Sequence, residues 1–213
     1  LAVINSFNLI DGLDGLAAGT AVIVVVSITV AIALSGYGAD LVFVACFIGP
    51  LIGFLVFNRP PATIFMGDSG SLFAGFLLAT FALPVTDNVK LQFSFLVPML
   101  ALGLPLLDTT VSMVRRVSQS RHPFAADRDH IHHRVFIRTG ENKGRAIREL
   151  YGISIVFGVF CVVISTLQDL RTLILVMALI GALCVLLVLR LGYLRREPED
   201  EEPAVKANFG DGI

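Results

Sequence analysis

Six long apolar stretches constrain the fold of this chain more than any other feature of its sequence. A helix needs about 20 mostly apolar residues to cross the roughly 30 Å of hydrocarbon in a membrane. The 213 residues are 55% hydrophobic and 15% charged, with a mean hydropathy of +0.82. This composition argues against a soluble fold and predicts an all-α, polytopic membrane helical bundle of about six transmembrane helices. The stretches run roughly from Gly15 to Leu34, Leu41 to Phe57, Ser71 to Val85, Phe93 to Val114, Leu150 to Leu167 and Leu173 to Leu189.

Two of these stretches are predicted to be irregular. The third is short, and the fourth contains Pro98, Pro105 and Asp108, so both should be tilted, kinked or buried in protein. Asp108 would be costly against lipid and is expected to face the protein interior. Its sequence position leaves two roles open: a structural one, bonded to another helix or to an arginine, and a catalytic one.

The basic residues lie almost entirely on one side of the predicted topology. The segments before the first stretch, between the second and third, and between the fourth and fifth are separated by even numbers of crossings, so they share one face. That face carries 14 of the 16 lysines and arginines, and only Lys90 and Arg171 fall opposite. Positive-inside bias makes it the cytosolic face.

The first polar segment on this face reads FNLIDGLDGLAAG. If Asp11 to Asp14 is helical, the two carboxylates lie one turn apart and can reach one ligand. Gly12 and Gly15 would let backbone N–H groups approach that ligand closely. The alternative is a small-residue packing seam at Gly15 and Gly19, with the aspartates merely marking a water-facing helix end.

The second polar segment, FNRPPATIFMGDSGSLFAG, leads a loop into the start of a span. It should place Asp68 to Ser71 at a helix N-terminus, where free N–H groups and the helix dipole favour phosphate. Asp68 offers an oxygen ligand suited to Mg²⁺ bridging that phosphate. An ordinary N-cap at Ser69 or Ser71 is the competing explanation.

The third polar segment, HPFAADRDHIHHR, concentrates charge and imidazole in a basic loop that runs from Arg115 to Glu149. Its arginines offer forked donors for a diphosphate. Its neutral histidines could instead bind a transition metal, and a solvated loop that only sets topology is the third reading. The residues concerned are Asp127, Arg128, Asp129, His130, His132, His133 and Arg134.

The remaining features suggest how the chain is divided. Cys46, Cys161 and Cys184 lie within apolar stretches without metal-type spacing, which is typical of packing residues. The acidic run after residue 196 cannot bury apolar surface. We predict one transmembrane domain over residues 1–196 and a disordered acidic cytosolic tail over residues 197–213.

In this order and spacing, the three motifs resemble the polyprenyl-phosphate N-acetylhexosamine-1-phosphate transferases, glycosyl transferase family 4. FNLIDGLDGLA and IFMGDSGSL are specific as a pair, and PFAADRDHIHHR is similar to the undecaprenyl-phosphate N-acetylglucosaminyl 1-phosphate transferase branch. The resemblance implies Mg²⁺-dependent transfer of a sugar 1-phosphate from a UDP-sugar to undecaprenyl phosphate, with release of UMP, to initiate cell-envelope polysaccharide synthesis. It also implies a multi-pass protein of the bacterial inner membrane whose active face is cytosolic.

The resemblance also implies roles for individual residues. Asp68 would bind Mg²⁺, with Mn²⁺ as an alternative ion, while Asn8, Asp11 and Asp14 line the catalytic cleft. Groups expected to contact the nucleotide are Gly12, Leu13 and Asp14 at the uracil, Phe65 stacked on it, and Asn58 at the nucleotide sugar. The diphosphate and sugar would be held by His130, His132, His133, Arg128 and Arg134.

One departure from the family concerns a motif of adjacent aspartates that precedes the first segment in its members. No part of this chain matches it, and Asp127 and Asp129 do not replace it. The chain begins Leu1-Ala2-Val3, without an initiator Met or an ordinary signal peptide. We therefore expect residues 1–213 to belong to something longer, and either to be inactive alone or to assemble with a missing segment. A homodimer is left open, and no nucleic-acid partner is expected.

Two rival functions remain. A transporter, or a lipid- or ion-binding membrane protein, could use the same acidic cleft, but it should show charges near mid-bilayer, where only Asp108 comes close. A membrane metalloenzyme could use His130, His132 and His133. Such enzymes usually need several separated histidine clusters, and this chain has four histidines with one cluster.

Overall fold

The computed structural model describes residues 1–35, 41–86, 93–120, 122 and 130–192, and these residues form nine α-helices and no strand. The all-α membrane bundle predicted from the sequence is thereby confirmed. Asp127, Arg128, Asp129 and the acidic tail lie outside the described residues. The helices are α1 (Ala2–Ile10), α2 (Leu16–Leu34), α3 (Leu41–Asn58), α4 (Gly67–Thr86), α5 (Leu96–Ala101), α6 (Gly103–Ser118), α7 (Ile131–Arg138), α8 (Lys143–Thr166) and α9 (Leu170–Arg190).

Helix α2 forms the centre of the bundle and packs against α3, α4, α5 and α8. It is apolar all round, as expected of a buried helix. Small residues bring it close to α8: a Cβ on Gly19 would lie 1.9 Å from Tyr151 Oη, and a Cβ on Gly158 would lie 2.2 Å from Ser27 Oγ. The packing seam considered for Gly19 therefore exists, with α8 as its partner.

Helices α3 and α9 lie at the periphery and present apolar side chains outward. Only 11% of the apolar window of each is buried, against 61% for α2. In the described residues, four helices are long and apolar enough to cross a membrane: α2, α3, α8 and α9. The apolar part of α4 is shorter. The exposed surface of the four helices is the surface that lipid would cover.

The fourth predicted stretch is divided into α5 and α6 by a break at Leu102. Pro105 lies in the first turn of α6, where its missing N–H costs little. A Cβ on Gly103 would lie 2.2 Å from the Phe157 ring of α8, so the break lets α8 approach closely. The irregularity predicted from the prolines is confirmed, with the break four residues after Pro98.

The sequence-based prediction did not include three helical regions of the structure. Helix α1 buries Phe7 and Ile10 against α4 and α6 although it is only nine residues long. Helix α7 lies within the segment predicted as a loop. Helix α8 begins seven residues before the predicted Leu150, because the Asn142 side chain accepts the N–H of Arg145 and caps the extension.

Candidate functional site

The first polar segment forms a turn between α1 and α2, held at its end by Gly15. Gly15 has a φ of +83°, which suits glycine. Its N–H donates to Asn58 Oδ1 at 2.8 Å, and its carbonyl accepts from Tyr151 Oη at 2.6 Å. The turn is thereby tied to α3 and α8. The helical reading of Asp11 to Asp14 is wrong, because α1 ends at Ile10 and α2 begins at Leu16.

Because the segment is a turn, its two aspartates point to different partners. Asp14 Oδ2 forms an ion pair with Lys143 Nζ at 2.8 Å and lies 3.4 Å from the N–H of Ala62. Lys143 is the first residue of α8. Asp14 therefore joins the first polar segment to the α3–α4 loop and to the start of α8.

Asn58 is buried and links the first two polar segments. Besides accepting from Gly15, its side chain donates through Nδ2 to the carbonyl of Ile64 at 2.8 Å. The amide thus fixes both ends of the α3–α4 loop relative to the turn. In this structure the side-chain oxygen and nitrogen of Asn58 both bond to the protein. Its contact with a nucleotide sugar stays a prediction.

Asp68 lies in the first turn of α4, as predicted, and is exposed. Ser71 does not cap this helix: its hydroxyl donates to Asn8 Oδ1 at 2.5 Å and lies 3.1 Å from the carbonyl of Gly67. A Cβ on Gly75 would lie 3.0 Å from Ile4 Cα, so α1 and α4 are in backbone contact. This packing brings Asn8 and the end of α1 to the start of α4.

Asp11 and Asp68 form a pair of like charges. The pKa of Asp11 is raised to about 6, mainly by burial and in addition by the negative charge of the Asp68 carboxylate. A nearby cation would stabilise the ionised form of Asp11. Perturbed carboxylates of this kind are concentrated at functional sites.

The third polar segment is anchored to α6 by Asp108, which is 2% exposed. Asp108 Oδ1 accepts from the N–H of Ile131 at 2.6 Å and lies 3.2 Å from His130 Nδ1. Its Oδ2 lies 3.0 Å from His132 Nδ1. The structural role considered for Asp108, bonding to another segment, is thus the one that its contacts show.

His132 also reaches the first polar segment. A Cβ on Gly12 would lie 2.4 Å from His132 Nε2 and 3.0 Å from His132 Cδ2, so the glycine backbone covers the imidazole edge. Both nitrogens of His132 therefore face protein atoms. Gly12 contacts the third polar segment, while Asp14 and Gly15 both tie the turn to α8 and to the end of α3 with its following loop. The three polar motifs meet at one end of the bundle, as the topology predicted.

The other predicted residues are distributed around this centre. His133 and Phe65 are exposed, the latter by 74%, and Leu13 packs partly buried against the core. Arg134 Nη1 donates to the carbonyl of Leu191 at 3.2 Å, toward the end of α9. Arg128 lies outside the described residues.

Sequence reasoning missed Lys143 and Tyr151, which bond to the turn from α8. Lys143 was counted only as part of the basic loop, and Tyr151 was assigned to a span. A basic residue and a hydroxyl at the polar end of a predicted span are weak signals. Their partners lie more than 120 residues away, so no local pattern identifies them.

The described residues contain no group of three or more His, Cys, Asp or Glu side chains arranged to hold a metal ion. A site of the zinc type, which needs three or four protein ligands, is therefore not present in that part of the chain. Mg²⁺ makes a smaller demand: one or two carboxylates, with water and substrate phosphate completing the shell. Asp11 and Asp68 carry ligand groups of this chemical type.

The chain is similar to known transferases. The sequence model of glycosyl transferase family 4 matches residues 1–86. A probable undecaprenyl-phosphate N-acetylglucosaminyl 1-phosphate transferase of Bacillus subtilis is 36% identical over 166 residues, which cover 78% of this chain and 46% of that protein. A decaprenyl-phosphate N-acetylglucosaminephosphotransferase of Mycolicibacterium smegmatis is 35% identical over 71% of this chain and 42% of its own length.

A third relative is the undecaprenyl-phosphate alpha-N-acetylglucosaminyl 1-phosphate transferase of Escherichia coli, 29% identical over 65% of this chain and 39% of its own length. The chain thus spans less than half the length of these curated relatives. The matched family segment contains the Asp11–Gly15 turn, Asn58 and Asp68. From its motifs, its helical fold and these relatives, the chain belongs to glycosyl transferase family 4.

Proposed function

We propose that this site transfers N-acetylglucosamine 1-phosphate, or a related N-acetylhexosamine 1-phosphate, from a UDP-sugar to undecaprenyl phosphate or a similar polyprenyl phosphate. The transfer would release UMP and begin a cell-envelope polysaccharide. The observation that carries the proposal is that the Asp11–Gly15 turn, the start of α4 with Asp68 and the histidine segment meet at one polar end of an apolar helix bundle. The names of the relatives supply the acceptor class and the transferred group, and the UDP-linked donor follows from the resemblance of the three motifs.

The reaction would be a direct phosphoryl displacement. An oxygen of the lipid phosphate attacks the sugar-bearing phosphorus of the UDP-sugar and forms a new phosphorus–oxygen bond. The bond from that phosphorus to the bridging oxygen breaks, and UMP leaves with the electron pair. Positioning and charge neutralisation account for most of the acceleration in such reactions, so little covalent chemistry is asked of the protein.

The protein groups would hold the diphosphate between the three polar segments. The N-terminus of α4, beginning at Gly67, offers backbone N–H groups and the positive end of a helix dipole. His133, which is exposed in the third polar segment, would contact the sugar or diphosphate. Phe65 is exposed and free to stack on the uracil.

Asp68, with Asp11 beside it, would hold Mg²⁺, and Mn²⁺ would be accepted as an alternative. The fit rests on the donor chemistry: two carboxylates whose mutual repulsion a divalent cation relieves. When bound, the ion would neutralise charge on the diphosphate as the displacement proceeds.

The location of the site would suit an acceptor that stays in the membrane. The apolar faces of α3 and α9 fit a lipid environment, while the polar end would face the cytosol, where UDP-sugars are dissolved. We propose the bacterial inner membrane as the location. A polyprenyl phosphate could then present its headgroup at the interface without leaving the bilayer.

The proposal is tested by UMP release from UDP-N-acetylglucosamine and undecaprenyl phosphate with the full-length protein in membranes. We expect release that requires Mg²⁺ and is lost in Asp68→Asn. Asp169→Asn is the matched control, because Asp169 caps α9 at the opposite end and an asparagine can still cap it. Absence of release from folded protein with every UDP-N-acetylhexosamine would refute the transferase and favour the binding or transport function.

A further inference from the structure

We propose that Asp108 is a positioning residue of the transfer reaction, which holds His130 and His132 so that the histidine segment stays docked against the Asp11–Gly15 turn. The inference rests on the proposed function for the reaction that it serves. It adds a residue from α6, outside the three polar motifs. It also separates two of the histidines from the third.

The first step is the hydrogen bonding of Asp108. The side chain is 3% exposed and lies within reach of three donors: the Ile131 N–H at 2.6 Å, His132 Nδ1 at 3.0 Å and His130 Nδ1 at 3.2 Å. A buried carboxylate is tolerated only when its oxygens are satisfied in this way. All three donors come from residues 130–132, so one side chain of α6 fixes the start of α7.

The second step concerns the protonation of the imidazoles. An ionised carboxylate only accepts hydrogen bonds, so Nδ1 of His130 and of His132 must each carry a hydrogen. The partner of one ring nitrogen sets the tautomer of the ring. In the neutral rings, Nε2 is then the unprotonated atom. Asp108 therefore sets the tautomer of both histidines and orients them, with Ser112 Oγ also lying 3.3 Å from His130 Nδ1.

The third step follows His132 to the turn. Its Nε2 lies against Gly12, where any Cβ would come within 2.4 Å. Gly12 is flanked by Asp11, the partner of Asp68. A rotation of the His132 ring would push on the turn and change the position of the Asp11 carboxylate. The path from Asp108 to the carboxylate pair therefore has one intermediate side chain.

His133 differs from its two neighbours. It is exposed, whereas His130 and His132 are 5% and 9% exposed. It follows that His133 can meet a substrate directly, while His132 acts through the turn and His130 is bonded to Asp108. The effects of changing His133 and Asp108 should therefore be independent.

The kinetic test uses the full-length protein and the UMP-release reaction. Asp108→Asn keeps the side-chain volume but replaces an acceptor with an amide N–H, which opposes an Nδ1–H. We expect kcat to fall about 10- to 100-fold, the usual effect of losing a group that orients a functional ligand, with a smaller change in KM. Thr110→Val on the same helix is the control, because its exposed hydroxyl donates to the carbonyl of Leu106 within α6, and it should keep the wild-type rate.

Double variants test whether Asp108 acts through His132. The effects of Asp108→Asn and His132→Asn should be strongly non-additive, whereas those of Asp108→Asn and His133→Asn should multiply. A wild-type kcat in Asp108→Asn would overturn the inference. So would multiplying effects of Asp108→Asn and His132→Asn.

A second readout needs no activity. In ¹⁵N-histidine NMR spectra of the protein in membranes at pH 8, we expect two imidazoles with hydrogen on Nδ1, and loss of this signature in Asp108→Asn. Two Nε2–H imidazoles in wild type would overturn the inference alone. Folded wild type with the Nδ1–H signature but without UMP release would instead refute the proposed function, and the positioning role in that reaction with it.

Discussion

Asp108 and the carboxylates of Asp11 and Asp68 lie near the same end of the bundle, but they differ in the groups that surround them. Asp108 is buried and receives three hydrogen-bond donors from one short segment. Asp11 is also partly buried, but the charge that acts on its pKa is the like charge of Asp68. Asp108 stabilises the fold, since every oxygen is satisfied. At Asp11 the ionised carboxylate is disfavoured, first by burial and then by the charge of Asp68, and a carboxylate perturbed in this way is typical of a functional site.

The largest effect should come from the repelling pair. Asp11→Asn removes a charge from the proposed cation site without changing the shape of the turn. We expect UMP release to fall roughly 10²- to 10³-fold, as when one electrostatic group of an active site is lost. Asp169→Asn, at the opposite end of the bundle, should keep the wild-type rate in the same assay. Equal rates for Asp11→Asn and wild type would remove Asp11 from the site.

Removing the Asp108 carboxylate should reduce stability, whereas removing that of Asp11 should mainly reduce activity. Asp108→Ala leaves the Ile131 N–H and two imidazoles without their buried acceptor. We expect a loss of about 3 kcal/mol in unfolding free energy, seen as a lower melting temperature. Asp11→Ala should not lower it by a similar amount. A melting temperature of Asp108→Ala equal to that of wild type would show that the buried contacts contribute nothing.

The contact between the two regions can be altered at Gly12. Gly12→Ala places a Cβ 2.4 Å from His132 Nε2, so either the turn or the ring must move. We expect about 1–3 kcal/mol of destabilisation, the usual cost of overpacking, together with reduced UMP release. Gly152→Ala is the control, because a Cβ there meets nothing within 4 Å. If both variants behave alike, Gly12 and His132 are not in contact.

The smallest effect concerns pH. The folded-state pKa of Asp11 is about 6, above its ordinary value of 3.8, so the folded protein holds this proton more tightly than the unfolded chain does. The stabilisation is present below pH 4 and is lost as pH rises through about 6. Without divalent cations, the unfolding free energy should fall between pH 5 and pH 7.5 by an amount on the order of 1 kcal/mol after allowance for partial exposure. This loss should appear as a lower melting temperature at the higher pH. An unchanged pH dependence in Asp11→Asn would assign the effect to another group.

Much of the fold could be predicted because membrane spans depend on composition alone. The apolar stretches gave α2, α3, α8 and α9, and the prolines of the fourth stretch predicted its irregularity. The even number of crossings also predicted that the three polar motifs meet. Helix α1 could not be predicted, because nine residues are marginal as a helix until α4 and α6 cover Phe7 and Ile10.

The detailed contacts of the site were beyond sequence reasoning. The hypothesis of a shared helical face for Asp11 and Asp14 failed because Gly12 and Gly15 favour a turn, and Gly15 adopts a positive φ. The partners of Asp14 and Asp108 lie 129 and 22–24 residues away. Such pairs depend on tertiary packing, which periodicity does not describe. Asp108 was recognised as interior by its cost in lipid, but its partners were not.

The most direct test of this contrast is binding of Mn²⁺, measured by electron paramagnetic resonance with the full-length protein and UDP. If Asp11 and Asp68 form the cation site and Asp108 serves the fold, Asp68→Asn should lose the protein-bound Mn²⁺ signal, while Asp108→Asn should retain it. Retention of the signal in Asp68→Asn together with its loss in Asp108→Asn would contradict the account, and would place the cation at the histidine segment.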